Sequence, residues 1–425
     1  MAAVEAPQDA FSGTKDVDER HRIDEAALAV WMQANVEDYA GPLEVRQFKG
    51  GQSNPTYQLI TPNQRYVLRR KPPGKLLPSA HAVDREFKVI SGLNKTNFPV
   101  AKAYALCTDE SVLGTMFYVM GMVEGRILWD GRLEDSTPKD RSEIYGAEID
   151  TLAALHNTDY AAIGLADYGR PGNYFSRQID RWSKQYRASE TQVIPSMNSL
   201  MDFLPQSAPE DDMTSIVHGD YRLDNMILHP TENRVLAVLD WELSTLGNPL
   251  ADFTYFLMQW VMPSDQRGGL AEMDLKAAGI PSIEEAVERY CGLTNRSGLP
   301  NLDWFFAYNL FRLGGICQGI AGRVRDGTAS SPYAIAMGER VPILGDTAWA
   351  FAKKAGAEQP PTPASPVLPP EGEDLRLVDL PPLGEVARRA EGGLVLRKSP
   401  SPNQASRGGG GFSRVGRAYS RRRRP

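Results

Sequence analysis

The sequence predicts an α+β protein with two lobes: an N-terminal lobe made of an antiparallel sheet with one helix, and a mainly helical C-terminal lobe. Short alternating runs bounded by turn residues fill the chain up to about residue 123, which is typical of strands. Apolar residues then recur at helical spacing as far as about residue 355. A length of 425 residues also exceeds the usual size of a single domain.

Composition narrows the class of protein before any motif is considered. The hydrophobic fraction of 42% and the charged fraction of 24% are ordinary for a globular protein, and a net charge of −6 argues against nucleic acid as a partner of the folded part. No apolar run approaches the ~20 residues that span a bilayer, and the N-terminus lacks a secretory signal, so we expect no membrane partner. The three cysteines are odd in number and far apart, which favours a reducing compartment, and we expect a cytoplasmic protein.

The N-terminal lobe is predicted to span residues 21–122, after a polar, flexible arm at residues 1–20. A predicted helix, 23–36, precedes the sheet, whose predicted strands are 43–48, 56–60, 65–69, 102–108 and 115–123, and the one helix predicted between these strands is 80–93. The first two strands are joined by a Gly-Gly-Gln-Ser-Asn-Pro turn that contains Gly51. Glycine lets backbone N–H groups approach phosphate oxygens closely, although two glycines alone favour an ordinary hairpin turn.

The C-terminal lobe is predicted to span residues 123–356. Its predicted helices are 137–156, 174–186, 196–203, 252–261, 282–290, 304–320 and 340–355. Residues 357–425 are rich in proline, glycine and arginine and have little apolar periodicity. Such a segment cannot bury enough surface to offset its ordering entropy, so a disordered tail is expected there.

One stretch of the second lobe, residues 216–253, departs from helical spacing. Two apolar runs, 226–228 and 235–239, are separated by turn-forming residues and are typical of a β-hairpin. Antiparallel pairing is expected to place the residue before the first strand, Asn225, beside the residue after the second, Asp240. An amide oxygen and a carboxylate held side by side suit Mg²⁺, which prefers oxygen ligands.

The residues before this hairpin add a candidate for catalysis. His218-Gly-Asp220, followed by Asn225 five residues later, has the spacing of a phosphotransferase catalytic loop, in which the Asp accepts the proton of the attacking hydroxyl. A lone His-Gly-Asp is more often a turn, and a lone Asp after a strand is more often a cap. The joint arrangement of Asp220, Asn225 and Asp240 favours a kinase of small molecules.

If the chain is a kinase of small molecules, residues of the N-terminal lobe fit its nucleotide site. Arg69, at the end of a predicted strand, is placed to reach phosphates, and Glu86 on the next helix is placed to pair with it, as a strand Lys and a helix Glu do in kinases. The alternative is an unrelated surface arginine and glutamate. The run from Met120 to Met122 would line an adenine slot through backbone groups, or simply fill core space.

The stretch 216–253 and the phrases Gly50-Gly-Gln-Ser-Asn-Pro-Thr-Tyr57, Tyr66-Val-Leu-Arg69 and Lys71-Pro-Pro-Gly-Lys-Leu-Leu-Pro-Ser resemble the aminoglycoside phosphotransferase family. More narrowly, they are similar to the kinase-like domain that is fused to, or stands beside, acyl-CoA dehydrogenases. The resemblance covers roughly residues 20–355. It implies a protein-kinase-like two-lobed fold, ATP with Mg²⁺ as the donor system, and a small hydroxylated acceptor.

The resemblance also implies roles for particular residues. It implies that Asp220 is the catalytic base and that Asn225 and Asp240 are the metal ligands. It also implies that His218, together with Asp252, supports the catalytic loop, and that Ser53 and Asn54 lie over the nucleotide phosphates. Two departures from the family pattern stand out. Arg69 occupies the position where kinases generally have Lys. The planar guanidinium of arginine does not place its charge and donors where the ammonium group of lysine does. Gly121 occupies a connector position where an acid is expected.

The acceptor is the least specified part of the reading. Members of the family fused to acyl-CoA dehydrogenases are associated with phosphorylation of 4-hydroxyacyl groups, which implies a hydroxyacyl or CoA-linked acceptor and an acyl-CoA dehydrogenase as a pathway partner. Five side chains are candidates to face the acceptor, each equally consistent with a structural role: Arg126, Trp129, Arg222, Trp241 and Glu242. Two alternatives stay open. Arg69 and Gly121 suggest a nucleotide-binding pseudokinase or regulatory module, and an aminoglycoside- or choline-type kinase would need more acids than Glu242 alone.

Overall fold

The computed structural model describes residues 13–49, 54–72, 82–210, 213–263, 268–329 and 334–358. All of them lie in one compact unit, Met1–Pro361. The expected tail, residues 357–425, lies outside the described residues except for Ala357 and Glu358. Within those ranges, no helix combines the length and the apolar character that a bilayer crossing needs.

An antiparallel sheet forms the N-terminal part, and all five predicted strands are present in it. Over the described residues the sheet has six strands in the order β1-β2-β3-β4-β6-β5. The strands are β1 (Thr14–Lys15), β2 (Glu44–Phe48), β3 (Thr56–Ile60), β4 (Arg65–Arg70), β5 (Ala103–Cys107) and β6 (Phe117–Gly121). The sixth strand, β1, pairs with β2 through Thr14 and Phe48, so this segment of the expected arm at residues 1–20 is held in the sheet.

The alternation of side chains along the strands explains why the sheet carries a helix on each face. Tyr66 and Leu68 of β4 pack in one apolar cluster with Leu28 and Met32 of helix α1 (Glu25–Asn35). Val67, between them, belongs to the other cluster, which includes Val89 and Ile90 of α2 (Val83–Leu93). The two predicted helices therefore cover opposite sides. A single-turn helix, α3 (Glu110–Leu113), lies between β5 and β6.

The C-terminal part is mainly helical, as predicted. Its helices are α4 (Pro138–His156), α5 (Tyr174–Ser189), α6 (Pro195–Gln206), α7 (Leu250–Leu257), α8 (Leu275–Ala278), α9 (Ile283–Thr294), α10 (Leu302–Arg325), α11 (Ala334–Glu339) and α12 (Val341–Lys354). Capping boxes begin α4, through Thr137 and Asp140, and α9, through Ser282 and Glu285. Aromatic rings join helices in the core, where Phe253 of α7 stacks on Tyr290 of α9 with centroids 3.8 Å apart.

Two short ribbons, rather than the single predicted hairpin, interrupt the helices. The predicted hairpin is present as β8 (Met226–Leu228) and β9 (Val235–Val238). A second antiparallel pair joins β7 (Ser215–Val217) to β10 (Thr245–Gly247). Three-residue strands are too short to show a clear alternation, which is why the sequence did not reveal this pair. The two ribbons frame the loop that contains Asp220.

A carboxyl group is buried in the middle of α4 without a hydrogen-bond partner. The side chain of Glu148 is 1% exposed, and neither carboxyl oxygen has a partner among the described residues. Burial, reinforced by the charge of Asp224, raises the pKa of Glu148 well above its ordinary value of 4.5. The folded protein therefore binds this proton more tightly than the unfolded chain, so folding stability falls as the pH rises above about 4.5.

We expect Glu148→Gln to raise stability at pH 8 and to leave it nearly unchanged at pH 5, because the amide never has to ionise or to hold a proton. Each unit by which the folded pKa exceeds the unfolded one is worth about 1.4 kcal/mol. Urea unfolding at several pH values measures the difference. Glu288→Gln, an exposed helical glutamate, is the matched control. An equal effect of the two variants at every pH would contradict this account of Glu148.

Candidate functional site

The loop between β7 and β8 is shaped by a glycine and held by a carboxylate. Gly219 has a φ of +87°, and a Cβ on it would lie 2.8 Å from the carbonyl oxygen of Leu243, so a larger residue would distort the loop. Asp252, buried on α7, accepts the backbone N–H of His218 with one carboxylate oxygen and that of Gly219, at 2.8 Å, with the other. Two charge-assisted hydrogen bonds thus fix the backbone just before Asp220.

His218 ties the same loop to the second ribbon. Its Nε2–H donates to the carbonyl of Leu239 at 2.8 Å, and its Nδ1 accepts the backbone N–H of Asp220 at 3.2 Å. The ring packs against the indole of Trp241, with centroids 4.8 Å apart. The structure brings His218 and Asp252 together as expected, but through the backbone of His218 rather than through its ring.

Asp220 is held by three side chains. Asn225 donates from Nδ2 to the backbone carbonyl of Asp220 at 2.9 Å and to its Oδ2 at 3.1 Å. The hydroxyl of Tyr255 donates to Oδ1 at 2.8 Å, and Nε of Arg222 lies 3.4 Å from the same oxygen. Burial alone would raise the pKa of Asp220, but the charge of Arg222 and the Tyr255 hydrogen bond outweigh it and hold the pKa below its usual value. The carboxyl group is therefore ionised at neutral pH.

The register of the hairpin differs by one residue from the expected one. The N–H of Leu239 donates to the carbonyl of Asn225 at 2.8 Å, so Leu239, and not Asp240, lies opposite Asn225. Asp240 follows with a φ of +63°, a left-handed backbone conformation that turns the chain away from the ribbon. The pairing argument for a side-by-side Asn225 and Asp240 was therefore wrong in its register.

The oxygen atoms of these two residues nevertheless suit a magnesium ion. The Nδ2 of Asn225 is occupied by Asp220, which leaves its Oδ1 without a hydrogen bond from the described residues. The carboxylate of Asp240 is 37% exposed. No group of three or more His, Cys, Asp or Glu able to hold a metal occurs in the described ranges. A set of one carboxylate and one amide oxygen fits Mg²⁺, which usually completes its shell with water and substrate phosphate.

Arg69 links the two lobes through two carboxylates. Its Nη1 lies 3.3 Å from Oε2 of Glu86, and its Nη2 lies 3.2 Å from Oδ1 of Asp240. Burial would lower the pKa of Arg69, but the charges of Glu86 and Asp240 outweigh it and raise that pKa, so the guanidinium stays charged. The structure brings Arg69 and Glu86 together as expected, and it adds Asp240 to the pair.

Other residues expected to bind the nucleotide do not lie where the sequence analysis placed them. Asn54 is fully buried and donates from Nδ2 to Oε1 of Glu86 at 3.0 Å, so it supports the ion pair instead of covering phosphates. The backbone N–H of Met122 donates to the carbonyl of Arg65 at 3.2 Å and is not available to an adenine ring. Met120 is buried in β6, between β4 and β5. Gly51 and Ser53 lie outside the described residues.

Three of the five residues expected to contact the acceptor substrate make other contacts instead. Arg126 clamps the β8–β9 turn, donating from Nε to the carbonyl of His229 at 2.9 Å and from Nη2 to that of Glu232 at 2.8 Å. Trp241 is 2% exposed and donates from Nε1 to the carbonyl of Val238, so its role is structural. Glu242 is exposed and contributes to the raised pKa of Arg69, which places it on the Arg69 side of the site.

The other two, Trp129 and Arg222, line a cavity of about 170 Å³. Asp220 is not among its described lining residues, but Arg222 and Tyr255, which contact Asp220, are. The residues that follow Asp220 in the chain, from Tyr221 to Asp224, form one wall. Among the described residues, the polar lining consists of Trp129, Tyr221, Arg222, Asp224, Tyr255, Gln259 and Arg340, and the apolar lining includes Leu223, Phe256, Met258, Met262, Leu313 and Met337. Asp224, the one acid among the described lining residues, accepts Nη2 of Arg222 at 3.0 Å.

Sequence reasoning missed two side chains that act on the loop. Tyr255 lies three residues after Asp252 on α7, and this helical spacing puts both on the face that meets Asp220. Arg312 is buried in α10 and donates from Nη2 to the carbonyl of Gly219. A lone arginine inside the apolar run 304–320 was the available signal, because a buried charge needs a specific partner.

This architecture, an antiparallel sheet lobe joined to a helical lobe with a base-like Asp and a strand–helix ion pair at their junction, is a kinase-like fold. The model of the phosphotransferase enzyme family matches residues 44–290, more than half of the chain. The chain belongs to this family, and the resemblance seen in the sequence is confirmed.

Relatives and solved structures agree with this assignment. Acyl-CoA dehydrogenase family member 11 of Gallus gallus is 44% identical over 328 residues, which cover 75% of this chain and 42% of that protein. The chain spans less than half of the length of the curated relatives that it matches. A candidate aminoglycoside phosphotransferase from Ralstonia eutropha JMP134 has a crystal structure that is similar over 80% of this chain and all of that one, with 52% identity and a TM-score of 0.74. Choline kinase of Cryptosporidium parvum shares the fold at 13% identity, with a TM-score of 0.53 over 78% of this chain and 97% of that one.

We expect Asp252→Asn to destabilise the protein by about 1–3 kcal/mol, because an amide NH₂ would face a buried backbone N–H and leave that donor unpaired. Urea unfolding measures the loss, and Asp202→Asn on the exposed side of α6 is the control. An Asp252→Asn protein as stable as the control would contradict the role assigned to Asp252.

Proposed function

We propose that this chain is an ATP-dependent O-phosphotransferase that transfers the γ-phosphate to a hydroxyl group of a hydroxyacyl or hydroxyacyl-CoA molecule. The observation that carries the proposal is the ionised carboxylate of Asp220, held by Asn225 and Tyr255 next to a cavity. The family assignment supports the transfer of phosphate to a small molecule. The nature of the acceptor rests on the cavity.

In the proposed reaction, Asp220 orients the acceptor hydroxyl and takes its proton. The hydroxyl oxygen forms a bond to the γ-phosphorus while the bond from that phosphorus to the β–γ bridging oxygen breaks, and ADP leaves. The lowered pKa of Asp220 means that it takes the proton late, when the new bond has made the hydroxyl acidic. Tyr255 keeps its own proton because burial raises its pKa, so it can go on donating to Asp220.

The side chains around Arg69 and Asp240 are suited to binding the phosphates of the nucleotide. We assign Oδ1 of Asn225 and the carboxylate of Asp240 to Mg²⁺, which when bound would neutralise charge on the phosphates. Arg69 is held in place by Glu86, which in turn accepts hydrogen bonds from Asn54 and from Tyr118 at 2.9 Å. A guanidinium fixed in this way can donate to a phosphate without first ordering itself.

The cavity lining favours an acyl acceptor over a cationic one. Aminoglycosides and choline carry positive charge and need several acids around them, whereas the described part of the lining has two arginines and one acid, which is paired with Arg222. Met258, Met262 and Met337 provide an adaptable apolar surface for an aliphatic chain. The name of the Gallus gallus relative, an acyl-CoA dehydrogenase family member, supports the same chemistry and a dehydrogenase as the pathway partner.

One observation favours a second candidate, a nucleotide-binding pseudokinase or regulatory module. Arg69 stands where kinases use Lys, and its Nη2 contacts Asp240, the proposed metal ligand. A thermal shift with ATP and Mg²⁺, compared with phosphate transfer over a panel of hydroxyacyl-CoA thioesters, separates the two. Nucleotide binding without transfer to any acceptor would favour the regulatory module.

We expect Asp220→Asn to lower kcat for ADP release with a hydroxyacyl-CoA acceptor by ~10²–10⁴-fold, because the amide cannot accept the proton. ATP binding, measured by calorimetry, should stay within about twofold of the parent protein, since a tenfold change would require about 1.4 kcal/mol of lost contact. Asp202→Asn is the control for expression and folding. Turnover that survives in Asp220→Asn would remove the base from the mechanism.

We expect Tyr255→Phe to lower kcat by roughly tenfold, in line with the loss of one hydrogen bond to a charged group. The hydrogen bond stabilises the charged carboxylate, so its loss also shifts the acidic limb of the kcat–pH profile to higher pH. Tyr186→Phe removes a buried hydroxyl that has no partner in the described part of the chain, and it should change neither quantity. Equal effects of the two substitutions would assign Tyr255 to packing only.

A further inference from the structure

Arg340 differs from the other charged side chains of the cavity because no acid in the described ranges pairs with it. It is half-buried at the start of α12, and its Nε is buried without a hydrogen-bond partner in those ranges. Its guanidinium makes one polar contact with a described side chain, 3.7 Å from Nη1 to the sulfur of Met337. A thioether is a weak acceptor, so the described residues leave most of the donor capacity of Arg340 unused.

The two other arginines near the base already contact protein oxygen atoms, although Nε of Arg222 has no hydrogen-bond partner among the described residues. Arg222 is paired with Asp224 at 3.0 Å and lies 3.4 Å from Asp220, and Arg312 donates to the carbonyl of Gly219. Arg340 lines the same cavity as Arg222 but has no oxygen acceptor among the described residues. Because a partly buried donor without a partner is costly, an acceptor atom that enters the cavity would find this guanidinium ready to bind it.

We propose that Arg340 is an anion-binding residue of this cavity and takes a carboxylate or phosphate group of the acceptor. The planar fork of a guanidinium matches the paired oxygens of either group. The remaining lining is apolar on the side of Met262, Leu313 and Met337, which suits an aliphatic chain attached to that group. The inference depends on the proposed function only in assigning the cavity to the acceptor.

Binding of non-reacting probes to the full chain tests the inference without phosphate transfer. Calorimetry compares octanoate, octanamide and octanoyl-CoA, each below its critical micelle concentration, on the parent protein, Arg340→Gln and Arg323→Gln. Arg323 is an exposed arginine of α10 and serves as the matched control. We expect at least one anionic probe to bind the parent protein and to lose roughly tenfold or more in Arg340→Gln, since a charge-assisted hydrogen bond is lost. Octanamide should bind the two proteins equally.

The probes also identify the source of the anion. Loss confined to octanoate indicates a carboxylate, whereas loss with octanoyl-CoA but not with its neutral N-acetylcysteamine analogue indicates a CoA phosphate. Failure of every anionic probe to bind the parent protein, or equal binding to Arg340→Gln, would overturn the inference. A parallel loss of ATP affinity would also overturn it, because Arg340 would then belong to the nucleotide side.

Two further measurements distinguish the role of Arg340 in anion binding from a role of its charge alone and from the proposed function. Arg340→Lys keeps the charge without the fork and should show an intermediate loss, while melting curves verify that all variants fold. If no acceptor is phosphorylated but anion binding still depends on Arg340, the proposed function fails and the inference stands. If transfer proceeds and KM for the acceptor is unchanged in Arg340→Gln, the inference fails alone.

Discussion

The hydrogen bonds from the backbone of His218 and Gly219 to the carboxylate of Asp252 are the constraint on which the site depends. A buried carboxylate is costly, and here the cost is offset because both oxygens accept N–H groups that would otherwise be unpaired. Those bonds hold the loop in the shape that only glycine permits at position 219. Since Tyr255 extends from the same face of α7, one helix fixes both the backbone before Asp220 and the orientation of its carboxylate.

A second ionic contact couples the lobes. Arg69 comes from the sheet, Glu86 from α2 and Asp240 from the loop after β9, so one guanidinium joins three elements. A lysine has a single ammonium at the end of a flexible stem, whereas the fork of arginine can face two carboxylates at once. The departure from the usual kinase lysine therefore has a structural consequence: the strand–helix pair and the proposed metal ligand share one cation.

The sequence was most informative where structure is local. Period-2 alternation predicted the strands of the sheet, and the interval from Asp220 to Asn225 predicted a loop that does bring those side chains together. The hairpin register was wrong because β9 ends at Val238, one residue before the end of the apolar run 235–239, and two runs of unequal length do not fix their own pairing. Trp241 and Arg126 were misjudged because side-chain direction follows from backbone conformation and from nearby carbonyls. The cavity was invisible because its lining comes from segments more than 200 residues apart, from Trp129 to Arg340.

The two sides of the site are built under different constraints. The side chains proposed for phosphate transfer lie on loops whose backbone is fixed by Asp252, by the ring of His218 and by the β7–β10 ribbon. The proposed acceptor cavity shares Arg222 and Tyr255 with the surroundings of Asp220, but none of the contacts that hold Asp220 comes from its apolar lining at Met258, Met262, Leu313 and Met337. Substitutions at these apolar positions can therefore change the shape of the cavity without removing a contact of Asp220. This separation gives a physical reason why one fold can serve both cationic acceptors, as in choline kinase, and the anionic, apolar acceptor that we propose for this chain.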